Sequence, residues 1–118
     1  MLNLHLEVVG DVSIVQCEGR IVHSDAAFEL RDLILSQRNS RVVVVDLSEV
    51  YAIEGGAVGM LAYLQKWAYD HKIALKLFNP SSAVQERLEH TTMPSLEVAS
   101  RDEVIALLDR ADAQHPGA

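Results

Sequence analysis

One cysteine, few basic residues and no long apolar run set the first limits on this 118-residue chain. A lone Cys17 cannot close an internal disulfide. It sits in Val12-Ser13-Ile14-Val15-Gln16-Cys17, a strand-like run with no adjacent histidine or basic residue to stabilise a thiolate. It reads as a small buried hydrophobe, not as a nucleophile or a ligand. Ten Lys and Arg stand against 17 Asp and Glu, a formal net charge of −7. Phosphate backbones and anionic membranes both reward clustered cations, so nucleic acid is not an expected partner. The longest uninterrupted aliphatic stretch, Val42 to Val45, is far below the roughly 18 residues that suggest a membrane span. The opening Met1-Leu2-Asn3-Leu4-His5-Leu6-Glu7 alternates apolar and polar residues, unlike a signal peptide. The expectation is a cytoplasmic protein with no membrane insertion. No internal repeat, linker or low-complexity segment breaks the chain. Its length suits one core burying roughly two-thirds of the unfolded surface, hence a single domain over 1–112 and a flexible tail over 113–118.

What is present is an alternation of two periodicities. Leu2, Leu4, Leu6 and Val8 recur at every second position, a half-buried strand, and Gly10-Asp11 suits a tight hairpin into a second strand from Val12 to Glu18. Ser24 or Asp25 can cap a helix to about Gln37 carrying Ala27, Leu30, Leu33 and Ile34. Val42-Val43-Val44-Val45-Asp46-Leu47 does not alternate, which suits a central strand covered on both faces. Ala57, Met60, Leu61, Leu64, Trp67 and Ala68 make the stripe of a second helix. A strand over Ile73–Phe78 stops at Asn79-Pro80, and a short helix over Ser82–His90 turns Val84 and Leu88 inward. Pro94 then precedes a brief strand at Leu96-Glu97-Val98. Ser100 and Glu103 form a capping box ahead of Val104, Ile105, Leu107, Leu108 and Ala111. The order β-β-α-β-α-β-α-β-α argues for the α/β class, with a mixed sheet of about five strands and about four helices.

No catalytic or metal constellation emerges. His23-Ser24-Asp25 has the residue types of a hydrolytic triad, but consecutive residues cannot place a base between nucleophile and carboxylate. His5, His23, His71, His90 and His115 are dispersed, with no pair at ligand spacing. Asp46, Glu49 and Glu54 lie near the end of the central strand, where α/β folds place functional loops, but lack a nucleophile, phosphate loop or metal partner. The expectation is no enzyme, no metal and no cofactor. Gly55-Gly56 could expose backbone N–H groups at a helix start, an anion site that the nearby Glu54 carboxylate opposes; a glycine-permitted turn is the simpler reading.

Around this point the sequence resembles the STAS family, the fold of anti-sigma factor antagonists. Members carry a Val-rich strand ending in Asp-Leu-Ser, an apolar loop, and Asp-Ser-Ser-Gly-Leu-Gly opening a helix. Here the positions read Val44-Val45-Asp46-Leu47-Ser48, then Ile53, then Glu54-Gly55-Gly56-Ala57-Val58-Gly59. Glu18-Gly19-Arg20-Ile21, Glu29-Leu30-Arg31 and Asn79-Pro80 also fall where the family has similar residues, so the resemblance spans about Leu4 to Leu108.

The resemblance implies a non-catalytic interaction module for transcription regulation, with an anti-sigma factor or serine-kinase-like protein as partner. A weak homodimer is compatible with it. The phosphoacceptor serine of switched members aligns with Gly55, and the next serine with Gly56; neither has a hydroxyl. The switch, which would add about −1.5 to −2 charges at the helix start, is therefore absent at that place. By the same resemblance the partner face comprises Ile53, Glu54, Gly55, Gly56 and Gly59, plus a helix flank of Val58, Ala62, Gln65, Lys66 and Tyr69. Ordinary partial burial at a helix edge is the competing reading of that flank. Two other functions stay open: a small-ligand or nucleotide-sensing domain, and a STAS subunit of an ABC-type lipid transport complex. Ser48, Ser81, Ser82, Thr91 and Thr92 are the other candidate phosphoacceptors, though caps and turns explain such residues.

Overall fold

In the computed structural model, which describes residues 2–22, 25–89 and 98–113, the elements follow the expected order. They are β1 (Leu2–Val9), β2 (Val12–Ile21), α1 (Asp25–Leu35), β3 (Val42–Ile53), α2 (Gly55–Asp70), β4 (Ala74–Phe78), α3 (Ser82–Glu89), β5 (Val98–Ala99) and α4 (Arg101–Ala113). His23, Ser24, the stretch from His90 through Glu97, and residues 114–118 lie outside the described residues. Ala113, expected in the tail, is the last residue of α4, and the rest of that expected tail is among the residues not described.

The five strands form one sheet in the order β1-β2-β3-β4-β5. Gly10 turns the first hairpin with φ of 58°, a left-handed value that glycine adopts freely, and Val9 pairs with Val12 across it. The β1–β2 pair is antiparallel and every other pair is parallel. The non-alternating valines occupy the centre as expected: Val42 to Asp46 pair with β2 on one side and β4 on the other.

Helices cover both faces unequally. On one face Ala27, Leu30 and Ile34 of α1, Ala57, Leu61, Leu64 and Ala68 of α2, and Val84 of α3 pack on Val15, Val43, Val45, Leu47 and Leu77. On the other, α4 alone supplies Val104 and Ala111, which close over Val12, Val44 and Ala99. The α4 capping box forms in both directions: the Glu103 amide donates to Ser100 Oγ at 3.1 Å, and the Ser100 amide donates to Glu103 Oε1 at 3.4 Å.

Three boundaries depart from the sequence expectation by two residues or more, while the ends of β1 and β5 and the start of β4 differ by one. Helix α1 ends at Leu35, short of Gln37, because Ser36 turns its hydroxyl back onto the Leu33 carbonyl at 2.6 Å and Gln37 accepts a hydrogen bond from the buried Ser13 hydroxyl at 2.8 Å. Strand β2 continues past Glu18 to Ile21. Strand β3 continues past Leu47 to Ile53, so the apolar loop expected after Ser48 is strand. Between Gln16 and Ile21 of β2 the paired positions on β3 run from Asp46 to Ile53, and the register slips twice, between Gln16 and Glu18 and between Gly19 and Arg20. Each slip places one extra residue on β3, a bulge of a kind that is rare in parallel pairs. Gly19, with φ of 121°, sits at the second slip in a region closed to residues with a Cβ.

Candidate functional site

The bulged end of β3 delivers the chain directly to α2. Asp46 holds the first bulge: its Oδ1 accepts from the Ser48 amide at 2.9 Å and the Ser48 hydroxyl at 2.7 Å. Ser81 holds the far side. Its hydroxyl donates to the Val50 carbonyl, its amide donates to the Leu47 carbonyl at 3.4 Å, and its Oγ also accepts from the Val84 amide at 3.4 Å as the cap of α3. Ser48 and Ser81, both candidate phosphoacceptors, thus carry structural hydrogen bonds.

Only Glu54 separates strand from helix. Its amide donates to the Ile21 carbonyl at 3.0 Å, and its carbonyl accepts from the Ala57 and Val58 amides at 3.0 and 3.1 Å. It occupies the N-cap position in an extended conformation (φ −88°, ψ 157°), and its side chain makes no cap hydrogen bond. Gly55 and Gly56 are the first two residues of α2, with no positive φ. The glycine-permitted turn expected there is therefore a helical first turn. What the glycines provide is a helix start without side chains, and no acidic residue follows within that turn.

The sequence-selected residues divide by exposure. Glu54, Gly56, Lys66 and Tyr69 are exposed, while Gly59, Ala62 and Gln65 are half-buried. Ile53 and Val58 are 4% and 3% exposed and belong to the core. Val58 cannot be a surface contact, and the exposed flank expected to include it is corrected accordingly; Ile53 reaches the surface only at the floor of a groove. The reason is that α2 packs between α1 and α3 as well as on the sheet, so its buried face is wider than one stripe. Burial of one such side chain stabilises by about 1.5–3 kcal/mol, so replacing Val58 tests stability before it tests binding. Gln65 is also committed, donating to the Leu75 carbonyl at 3.1 Å.

Two exposed tyrosines, one on each of the elements that meet at this junction, are not singled out by the sequence pattern. Tyr51, 64% exposed, stands on the bulged part of β3 beside an open groove of about 420 Å³ that Ala52, Ile53, Ala83, Glu86 and Arg87 also line. Tyr63, 59% exposed, lies four residues after Gly59 and three before Lys66, so Gly56, Gly59, Tyr63 and Lys66 form one row along α2. The row closes with a Lys66–Asp70 ion pair at 3.2 Å. Helical spacing alone could have found Tyr63. Tyr51 could not be placed without the bulges.

Chemistry at this end of the molecule is limited. Among the described residues, no group of three or more His, Cys, Asp or Glu could hold a metal ion, and no helix is long and apolar enough to cross a membrane. Cys17 is buried against β3. Burial first, and the Asp46 carboxylate second, push its thiol up from 9.0 to about 12. It stays protonated near neutral pH and is a poor nucleophile, as its sequence context implies.

Comparison with known proteins agrees with this architecture. No curated protein matches the chain. The anti-sigma factor antagonist SpoIIAA in its unphosphorylated form superposes with a TM-score of 0.74 at 17% identity, over 92% of this chain and 97% of that one. A candidate anti-sigma factor antagonist from Thermotoga maritima gives 0.75 at 17% identity, covering 91% and 95% of the two chains. An anti-sigma factor antagonist from Mycobacterium paratuberculosis gives 0.71 at 19%, covering 92% and 95%. At these identities the likeness is one of fold, the mixed five-stranded sheet with four helices. The STAS domain family model matches residues 3–111, nearly the whole of that fold, and the chain belongs to the STAS domain family.

Proposed function

We propose that this protein is a non-catalytic regulatory module that binds an anti-sigma factor or a related kinase-like protein at the junction of β3 and α2, without a serine switch there. The observation that carries the reading is Gly55. It opens α2 at the position that aligns with the phosphoacceptor serine of switched STAS proteins, and it offers no hydroxyl. The two elements that meet there carry features an interface uses: exposed Tyr51 and Tyr63, a groove between β3 and α3, and small residues at Gly56 and Gly59 that let another chain approach. The contact set is Glu54, Gly55, Gly56, Gly59, Ala62, Lys66 and Tyr69 with the two tyrosines added. The net charge of −7 favours a partner with a basic face. The same reading makes the protein a cytoplasmic regulator of bacterial transcription. No feature of the described residues favours the nucleotide-sensing or transport-subunit alternatives over it.

The test is to restore the acceptor. With the kinase-like partner and ATP, the wild-type chain stays unmodified at this site. Gly55→Ser gains one phosphate by intact mass, mapped to position 55, and loses affinity for the partner. A wild-type chain phosphorylated elsewhere with the same loss of affinity would overturn the unswitched reading. Tyr63→Asp, exposed and so compatible with folding, weakens binding by at least about tenfold if the α2 row is the interface; unchanged affinity removes the row from it.

A further inference from the structure

The two edges of the sheet are managed differently. β5, at one edge, has two described residues, Val98 and Ala99. β1, at the other, has eight residues and contains no Lys, Arg or Pro, the residues that commonly discourage edge pairing. No described residue pairs with its outer side. Leu6 and Val8 are 42% and 56% exposed on the face whose earlier positions, Leu2 and Leu4, join the core, so no described helix overhangs this part of the edge. His5 and Glu7 are exposed on the opposite face. We infer that β1 pairs with β1 of a second copy of this chain, antiparallel across a two-fold axis at Leu6, which joins the two sheets into one of ten strands.

The register follows from hydrogen-bond geometry and charge. The two-residue turn makes Val9 and Val12 a hydrogen-bonded pair. Alternation then directs the backbone groups of Asn3, His5, Glu7 and Val9 towards β2, and those of Leu2, Leu4, Leu6 and Val8 towards the free edge. A symmetric pairing must match outward residues with outward residues, which leaves three registers near the middle of the strand. One places His5 opposite His5 of the second copy, and one places Glu7 opposite Glu7. The third, centred on Leu6, places His5 opposite Glu7 twice, and these are non-hydrogen-bonded positions where side chains approach closely. There the imidazole N–H donates to the carboxylate. The same register sets Leu4 against Val8 twice and Leu6 against itself, covering the apolar side chains that the monomer exposes. Like charges directly opposite are unfavourable, which removes Glu7 against Glu7, and of the three only the register centred on Leu6 sets an imidazole donor against the carboxylate, so the side-chain pattern selects it. The pairing uses none of the residues at the junction of β3 and α2, and it stands whether or not that surface binds a partner.

Sedimentation velocity over a concentration series should show a reversible monomer–dimer equilibrium. Glu7→Lys should weaken it by about tenfold, and the charge swap of Glu7→Lys with His5→Glu should restore it. Oxidation of Leu6→Cys should give a covalent dimer, because opposed hydrogen-bonded residues sit about 5.5 Å apart between Cα atoms. Val8→Cys should not, since its counterpart lies four residues further along the strand, about 14 Å away. Cys17 is buried and does not interfere. A chain that stays monomeric at the highest soluble concentration overturns the inference, as does equal cross-linking at positions 6 and 8. A dimer indifferent to Glu7→Lys overturns the register.

Discussion

Val42–Asp46 and Leu47–Ile53 belong to one strand, yet only the first stretch has a strand on either side. There β3 pairs residue for residue with β2 and β4, and its side chains are covered on both faces. Beyond Asp46 the β4 ladder has ended, the β2 ladder slips twice, and side-chain hydrogen bonds from Asp46 and Ser81 take over part of the work of strand pairing. Regular pairing makes a stretch hard to alter and leaves little of it visible to a partner. The irregular stretch keeps its inward side chains Leu47, Val50 and Ile53 buried while turning Tyr51 outward beside a groove. The molecule thus separates the part that maintains the fold from the part that presents a surface.

Substitutions should act differently on the two stretches. Val45→Asp places a carboxylate with no partner at a fully buried central position; the expected loss exceeds about 4 kcal/mol and leaves no cooperative transition in urea. Ser81→Ala removes the donor to Val50 and the cap of α3. The fold survives with a loss of about 1–3 kcal/mol, and faster amide exchange is confined to the second stretch of β3 and to α3. Exchange spread evenly over β2, β3 and β4 would deny the independence of the two stretches. Gly55→Ala should have the smallest effect and the opposite sign: with helical backbone already in place, it raises the thermal midpoint, by the equivalent of about 0.4–1 kcal/mol. A destabilised Gly55→Ala would show that the helix start requires glycine after all.

The parts legible in the sequence are those whose chemistry is local. Ser100 and Glu103 are three residues apart and bond each other, and Gly10-Asp11 turns a hairpin between its immediate neighbours. The valine run announces a strand covered on both faces because nothing in it alternates. The end of β3 was not legible. Its side chains on the helix-covered face fall at positions 43, 45, 47, 50 and 53, a spacing that belongs to neither a regular strand nor a helix. The slips exist only in relation to β2, whose Gly19 has the backbone freedom one of them needs. Val58 was misplaced for a similar reason, since the width of a buried helix face depends on which helices flank it. At the candidate site the missing hydroxyl at Gly55 could be read from the sequence, whereas the groove beside Tyr51 needed α3 in position.

The unequal covering of the sheet has a consequence in time. Three helices share one layer and brace one another, whereas α4 is the one described helix on the other face, where Val104 and Ala111, with the half-buried Leu107 and Leu108, close over Val12, Val44 and Ala99 and the half-buried Val9, Ile14, Val42 and Phe78. A face held by one helix has fewer neighbours to brace it than a layer of three, so α4 is expected to open locally more often than the rest of the molecule, briefly wetting a face of the sheet that the folded structure keeps dry; earlier amide exchange in α4 than in α1 and α2 would show it.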